Sequence, residues 1–153
     1  RYVMNKAVHY LALAKRREST FCIAYIDLKG FKKINDTYGH EAGDFLLKSF
    51  GERIVGSLRE SDIMSRIGGD EFVLLLPDTD KFNVKCIMKR IKVSLEKDFE
   101  FMNNSIKIAC NIGLAFYPKD GKDFQSLLKK ADEAMYSAKR EKLLYKFCTN
   151  IKN

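Results

Sequence analysis

The sequence predicts an α+β fold of the ferredoxin-like or palm type, a βαββαβ core with a central antiparallel sheet flanked by helices. Residues 20–28 form an almost continuous apolar run, which is typical of a strand buried on both faces. Two shorter apolar runs, 63–67 and 72–76, enclose a glycine pair and indicate a hairpin. A stretch with helical periodicity lies between the first run and the hairpin, and another lies between the hairpin and a later strand. Extra helices and strands are expected at both ends of the chain.

Four helices are predicted from apolar residues that recur at helical spacing. The first opens the chain, and the others cover about 40–59, 84–95 and 124–138. Residues 36–40 are polar and rich in turn formers, so they are predicted to form a loop before the second helix.

The later strands are predicted from alternation and turn residues. Apolar side chains over 106–116 predict one strand ended by Pro118. Residues 103–105 are predicted to turn into it from a short strand near Phe99. An edge strand is expected within 143–148.

The composition fits one globular domain over residues 1–153. The chain has 153 residues, of which 46% are hydrophobic, enough for a sizeable core. No apolar run approaches the roughly 20 residues that span a bilayer, and no secretory signal pattern is present. The sequence opens within a helical pattern, so we expect a truncated N-terminus. The 4 cysteines lack metal-ligand spacing, which predicts reduced core thiols in a cytosolic protein.

The formal net charge is +8, which suits an anionic partner but also describes a lysine-rich solvated surface. The basic clusters at 15–17 and 129–130 lie on helical stretches without interleaved aromatic residues. That pattern argues against a nucleic-acid interface.

Two adjacent carboxylates, Asp70 and Glu71, lie at the tip of the hairpin directly after the glycine pair. The predicted topology brings Asp27, at the end of the first strand, close to them. Carboxylates so placed can hold one or two Mg²⁺ ions together with substrate phosphates. The alternatives are a solvated acidic hairpin and, for Asp27, a helix cap.

Three further polar residues follow the first strand. Lys32 would lie near any phosphate held by the metal, or is an exposed surface lysine. Asn35 and Asp44 flank the polar segment 36–40. An ionised Asp accepts hydrogen bonds from the N–H edge of guanine, which adenine lacks, and an Asn both donates and accepts. Turn stabilisation and first-turn helix charge are the alternative roles.

Several stretches, in this order and spacing, resemble the GGDEF domain family, the diguanylate cyclases. The resemblance covers essentially the whole chain and is far more specific than any single motif. The matching stretches are 27–28, 31–40, 43–44, 66–72, 111–113 and 131–139.

The resemblance implies that two GTP molecules, one on each of two facing subunits of a homodimer, condense to cyclic di-GMP with loss of two pyrophosphates. Asp27 and Asp70 would hold Mg²⁺ (or Mn²⁺), helped by the backbone carbonyl of Leu28. Glu71 would either complete the metal site or help to deprotonate the attacking 3′-hydroxyl. The domain itself would contact neither nucleic acid nor membrane.

The resemblance also assigns substrate and product sites. An inhibitory product site would use Arg59 and Asp62, with Arg90 as a second arm, whereas the alternative for this cluster is a charged helix end. The residues implied in substrate binding are Lys32, Asn35, Asp44, Gly68, Gly69 and Lys139.

The chain departs from the family pattern at several positions. Lys29 replaces a frequent acidic residue and Gly30 a bulkier one. Residues 141–144 replace a Gly-Arg-Asn segment, with Lys142 as a possible substitute for its arginine. The family's Asp-x-Leu-Thr-Gly-Leu stretch is absent.

Lys29 and the altered tail favour a second hypothesis, a non-catalytic module that binds GTP or cyclic di-GMP and regulates a partner. The active cyclase is favoured more by the intact acidic and amide residues, which are Asp27, Asp70, Glu71, Asn35 and Asp44. A third, a template-dependent nucleotidyl transferase, lacks the expected basic and aromatic groove. We expect a cytoplasmic domain of a bacterial signalling protein, either multidomain or membrane-anchored.

Overall fold

The computed structural model describes residues 2–150. Its helices and strands follow the predicted order, with an additional helix directly after the first strand. They are α1 (Tyr2–Arg17), β1 (Phe21–Lys29), α2 (Phe31–Tyr38), α3 (His40–Val55), β2 (Ile63–Gly68), β3 (Glu71–Pro77), α4 (Lys81–Leu95), β4 (Phe99–Phe101), β5 (Asn104–Ile106), β6 (Ala109–Tyr117), α5 (Phe124–Glu141) and β7 (Tyr145–Phe147), followed by a 3₁₀ turn over Cys148–Asn150.

The main sheet has five strands in the order β2-β3-β1-β6-β7. Its first four strands pair antiparallel, whereas β7 runs parallel to β6 at the edge. Strands β4 and β5 form a separate two-stranded ribbon. The order of the four antiparallel strands is that of the split βαβ arrangement, so the predicted fold class is confirmed.

Helices cover both faces of this sheet, and β1 contributes to both cores. Cys22, Ala24 and Ile26 pack towards α3 and α4, whereas Phe21 and Ile23 pack towards α1 and α5. Side chains of a strand point alternately to opposite faces, so a fully buried strand must be apolar throughout. This confirms the prediction for 20–28.

Two helix predictions were wrong at their boundaries. The segment 36–40 is not a loop, because α2 continues to Tyr38; its Phe31 and Ile34 pack into the core, and tertiary packing outweighs the turn propensity of the polar residues. Helix α3 ends at Val55 rather than near residue 59, and Gly56 follows it in a turn.

Other predictions in the C-terminal half were refined. The run 106–116 is two strands, because the chain leaves the β4–β5 ribbon after Ile106 and joins the main sheet only at Ala109. The edge strand within 143–148 is confirmed as β7. Of the four free cysteines, Cys86 is exposed and therefore not a core thiol. None of the described helices combines the length and apolar character needed to cross a bilayer.

Candidate functional site

The site forms where the end of β1 meets the β2–β3 hairpin. Asp27 lies directly opposite Glu71 in the β1–β3 register. The backbone N–H of Leu28 donates to the carbonyl oxygen of Asp70 over 3.1 Å, which ties the strand end to the hairpin tip. The Leu28 side chain is buried in the core, so only its backbone is available to the site. The predicted approach of Asp27 to the hairpin acids is thus observed.

The hairpin tip is held by a bond from the Arg66 side chain to the backbone, and it leaves space around both glycines. Gly69 has a φ of 47°, a left-handed conformation that favours glycine. The Arg66 Nε donates to the Gly69 carbonyl oxygen over 2.7 Å. A Cβ at Gly68 or Gly69 would meet no protein atom within 4 Å. The glycines therefore leave room for a ligand beside the carboxylates.

The Asp27 carboxyl is largely buried and lies close to another carboxylate and to a lysine. Its side chain is only 17% exposed. Burial, followed by the nearby Asp70 carboxylate, raises the pKa of Asp27 from its ordinary 3.8 to about 6, while Lys139 opposes the shift. The Lys139 Nζ lies 3.8 Å from Asp27 Oδ2. A cation at this point would relieve the repulsion between the two aspartates.

The Glu71 carboxylate has a different partner. The Tyr25 hydroxyl donates to Glu71 Oε2 over 3.0 Å. Within residues 2–150, no three His, Cys, Asp or Glu side chains are grouped closely enough to hold a metal ion. The described geometry thus pairs Asp27 with Asp70 and turns Glu71 towards Tyr25.

This donor set fits one Mg²⁺ or Mn²⁺ ion. Two carboxylates and the Leu28 backbone are hard oxygen donors, and Mg²⁺ commonly takes one or two protein carboxylates and completes its shell with water and substrate phosphates. Tyr25 was missed in the sequence, although its position two residues before Asp27 puts both side chains on one face of β1.

Asn35 and Asp44 lie on consecutive helices. Asn35, on α2, has a buried Oδ1 atom with no hydrogen-bond partner among the described residues. A Cβ at Gly43, on α3, would overlap this atom, so glycine is needed for the close approach. Asp44 is the next residue and is exposed. A half-buried amide whose oxygen has no partner, beside an exposed carboxylate, can recognise a ligand that donates hydrogen bonds.

An open groove of about 750 Å³ runs beside Asp44 between α3 and the hairpin strands. Its lining combines apolar side chains with four charged ones, and Asn35 is not among the lining residues. The lining residues are Asp44, Leu47, Lys48, Gly51, Glu52, Val55, Met64, Arg66 and Phe72. Such a groove can accommodate a flat heterocycle.

Four lysines surround the strand end. Lys32 is exposed on the first turn of α2, and Lys139 contacts Asp27 from α5. Lys29 and Lys142 line a separate cavity of about 310 Å³ near the end of α5. Lys32 thus follows Asp27 by five residues, and Lys139 contacts Asp27 from α5, whereas Lys142 lies at the C-terminal cap of α5.

The cluster around Arg59 is held together by its own contacts. Arg59 Nη2 donates to Asp62 Oδ1, and to the carbonyl oxygen of Pro77, over 2.8 Å in each case. The Asp62 side chain is fully buried, and its hydrogen bond raises the pKa of the Arg59 guanidinium. Arg90 Nε donates to the Ser57 carbonyl oxygen over 3.1 Å, which brings it to the same corner. The Asp62 carboxylate already has a partner, so a ligand here would meet mainly the two arginines.

The comparison with known families agrees with this geometry. A family model described as diguanylate cyclase, GGDEF domain, matches residues 1–143. The chain belongs to the GGDEF domain family. The glycine-cleared hairpin tip and the paired aspartates are thus features of a GGDEF domain.

Relatives of this GGDEF domain include two proteins of Pseudomonas aeruginosa. The bifunctional diguanylate cyclase/cyclic di-GMP phosphodiesterase MucR is 37% identical over 126 residues, which cover 82% of this chain and 18% of MucR. The diguanylate cyclase TpbB is 39% identical over 130 residues, which cover 84% of this chain and 30% of TpbB. The chain thus spans under a third of the length of these curated relatives.

A solved structure confirms the fold. The crystal structure of the GGDEF domain of TpbB from Pseudomonas aeruginosa matches with a TM-score of 0.91 at 34% sequence identity. The match covers 95% of this chain and 92% of that chain.

Proposed function

We propose that this GGDEF domain is a diguanylate cyclase that condenses two GTP molecules into cyclic di-GMP and releases two pyrophosphates. The observation that carries the proposal is the pairing of the Asp27 and Asp70 carboxylates beside a hairpin tip cleared by Gly68 and Gly69. Family membership and the activity named for TpbB support it. We place the activity in the cytoplasm, because the proposed substrate is GTP.

Asp27 and Asp70, with the Leu28 carbonyl, would hold Mg²⁺ or Mn²⁺. The ion would supply Lewis acidity at the 3′-hydroxyl and charge neutralisation at the departing pyrophosphate. Lys32 and Lys139 would bind the phosphates, and Lys139 is already drawn to this point by Asp27. The residues of this chain thus orient the triphosphate, while Glu71 supplies a further carboxylate at the same sheet end.

Asn35 and Asp44 would select guanine. Asn35 Oδ1 is buried against Gly43 without a partner, so a turn of the amide towards a guanine N–H donor would relieve an unsatisfied acceptor, which costs about 1–3 kcal/mol. Asp44 would accept from the Watson–Crick N–H edge. Adenine does not present that pair of donors, so it would leave the acceptors unpaired.

Two further features belong to the proposal. One subunit would hold one GTP, so catalysis needs a homodimer in which two sites face each other.

The arginines at positions 59 and 90 would bind product phosphates or guanine edges and inhibit the enzyme. Because Arg59 also holds the buried Asp62, Arg90→Ala is the cleaner variant for testing the inhibition.

The competing proposal is a regulatory GGDEF module that binds GTP or cyclic di-GMP without turnover. Lys29, an exposed lysine two residues after Asp27, favours it because it adds positive charge near the metal site. The paired aspartates favour the cyclase.

The test is synthesis of cyclic di-GMP by the purified chain fused to a dimerising coiled coil, with GTP and Mg²⁺ and with separation of products by chromatography. We expect product from the wild type and from Asp36→Asn, which changes an exposed acid on α2. Asp70→Asn should give none. Binding of GTP without product by all three fusions would favour the regulatory module, and no binding would refute both proposals.

A further inference from the structure

Tyr25 lies in the middle of β1, on the same face as Asp27. Its side chain belongs to the core that α1 and α5 cover, and the residue is only 8% exposed. The Tyr25 ring is therefore fixed by packing, while its hydroxyl reaches the end of the sheet where the carboxylates lie.

The hydroxyl reaches across to the neighbouring strand. Glu71 is directly opposite Asp27 in the β1–β3 register, so it is the diagonal neighbour of Tyr25. Diagonal pairs on one face of an antiparallel sheet lie within reach of aromatic side chains. The Tyr25 hydroxyl donates to Glu71 Oε2 over 3.0 Å, and no other side chain within residues 2–150 hydrogen-bonds this carboxylate.

The Tyr25 hydroxyl is the donor in this bond, because an ionised carboxylate can only accept. Only one Glu71 oxygen is occupied by this bond, which leaves Oε1 for a second interaction.

We propose that Tyr25 is a positioning residue of the candidate active site: its hydroxyl holds the Glu71 carboxylate in one orientation opposite Asp27. This inference rests on the proposed function, because it assigns Glu71 a role at the metal. A carboxylate fixed by a rigid aromatic donor loses less rotational freedom when it contacts the metal or the attacking hydroxyl. Such outer contacts commonly change metal affinity or activity by roughly 10–100-fold.

The test compares Tyr25→Phe with Tyr10→Phe. Tyr10 is a matched control, because it packs against the same core and its hydroxyl donates to the Ser61 carbonyl oxygen over 3.3 Å, away from the hairpin tip. Binding of Mn²⁺ is followed by electron paramagnetic resonance with 3′-deoxy-GTP, which lacks the attacking hydroxyl. We expect Tyr25→Phe to weaken Mn²⁺ binding roughly 10-fold and to lower kcat similarly, with KM for GTP within about twofold of wild type.

A double-mutant cycle separates positioning from general destabilisation. If Tyr25 acts through Glu71, adding Tyr25→Phe to Glu71→Gln will not weaken Mn²⁺ binding further. Mn²⁺ affinity and kcat in Tyr25→Phe equal to those of Tyr10→Phe would overturn the inference, as would an equal loss in the Glu71→Gln background. A wild-type chain that binds no metal–nucleotide would instead refute the proposed function, and Tyr25 would have no site to serve.

Discussion

Asp27 couples the chemistry of the site to the stability of the fold. The pKa of Asp27 is raised to about 6, first by burial and then by Asp70. In the unfolded chain the carboxyl regains its ordinary pKa of 3.8. Between these values the folded state binds more protons than the unfolded state, so the free energy of unfolding falls as pH rises.

Asp27→Asn should remove this dependence. We expect the variant to be more stable than wild type at pH 7 and to lose most of that advantage near pH 4, where the folded carboxyl is protonated and the unfolded one is close to its pKa of 3.8. Melting temperatures from pH 4 to pH 7 measure the difference between the two proteins. A constant difference over this range would contradict the assigned cause.

Gly43 controls the position of Asn35. A methyl group at residue 43 would overlap Asn35 Oδ1, so Gly43→Ala must displace the amide that would recognise guanine. We expect the dissociation constant for GTP to rise roughly 10-fold, because a buried polar partner worth about 1–3 kcal/mol is lost or misplaced.

Ser49→Ala is the control for Gly43→Ala, since Ser49 also lies on α3 but does not line the groove beside Asp44. Isothermal titration with GTP on all three proteins measures the effect. Equal affinity of Gly43→Ala and wild type would remove Asn35 from the base site.

At the residue scale, the polar residue types were readable from the sequence, but their partners were not. Asp70, Glu71 and Asp27 could be proposed because turn chemistry and strand order bring them together. The bond from Tyr25 to Glu71 was missed, because it depends on the register between β1 and β3. The sequence carries no local sign of that register.

At the scale of elements, Arg53 joins α3 to the end of α4. Its guanidinium donates to the carbonyl oxygens of Ser94 over 3.1 Å and Asp98 over 3.2 Å, and it also bonds the Lys97 carbonyl. It lies 3.4 Å from the centre of the Phe99 ring. The last carbonyl groups of an α-helix have no hydrogen-bond partner within the helix. The Arg53 guanidinium donates to one of them in α4 and to two carbonyl groups of the segment that follows.

Arg53→Ala should destabilise the fold by about 2–3 kcal/mol, because hydrogen bonds to a charged donor and a stacked ring are lost together. Urea unfolding measures this loss. Arg140→Ala is the control, since its guanidinium lies 5.4 Å from the Tyr136 ring on an exposed helix face and should cost under about 0.5 kcal/mol. Arg53→Lys should not restore the lost stability, since an ammonium group cannot reproduce the planar set of donors of a guanidinium.

Element types were more predictable than element boundaries. Periodicity found the helices and the hairpin because burial imposes it on the sequence. It failed at α2, a mostly polar helix of which only two apolar side chains pack into the core. It also failed over 106–116, because one apolar run contributes strands to two different sheets. The sequence pattern is compatible with a loop or a helix in the first case and with one strand or two in the second, and tertiary packing selects between them.

At the scale of the whole molecule, the proposed reaction needs two copies of the chain. The specific activity of the isolated chain should therefore fall in proportion to its concentration at high dilution, because the fraction of dimer falls. Fusion to a dimerising coiled coil should abolish this dependence. Initial rates over a hundredfold dilution series measure it, and a constant specific activity of the unfused chain would contradict a two-subunit reaction.

The sequence by itself determined the fold class, the family and the set of candidate residues. Alternation, helical spacing and turn chemistry are local consequences of which side chains are buried, so they can be read along the chain. The tertiary structure decided which of these residues meet. It paired Asp27 with Asp70, turned Glu71 towards Tyr25, set Asn35 against Gly43 and engaged Asp62 with Arg59. These contacts join residues from different elements, and only the packing of those elements fixes their distances and their electrostatics.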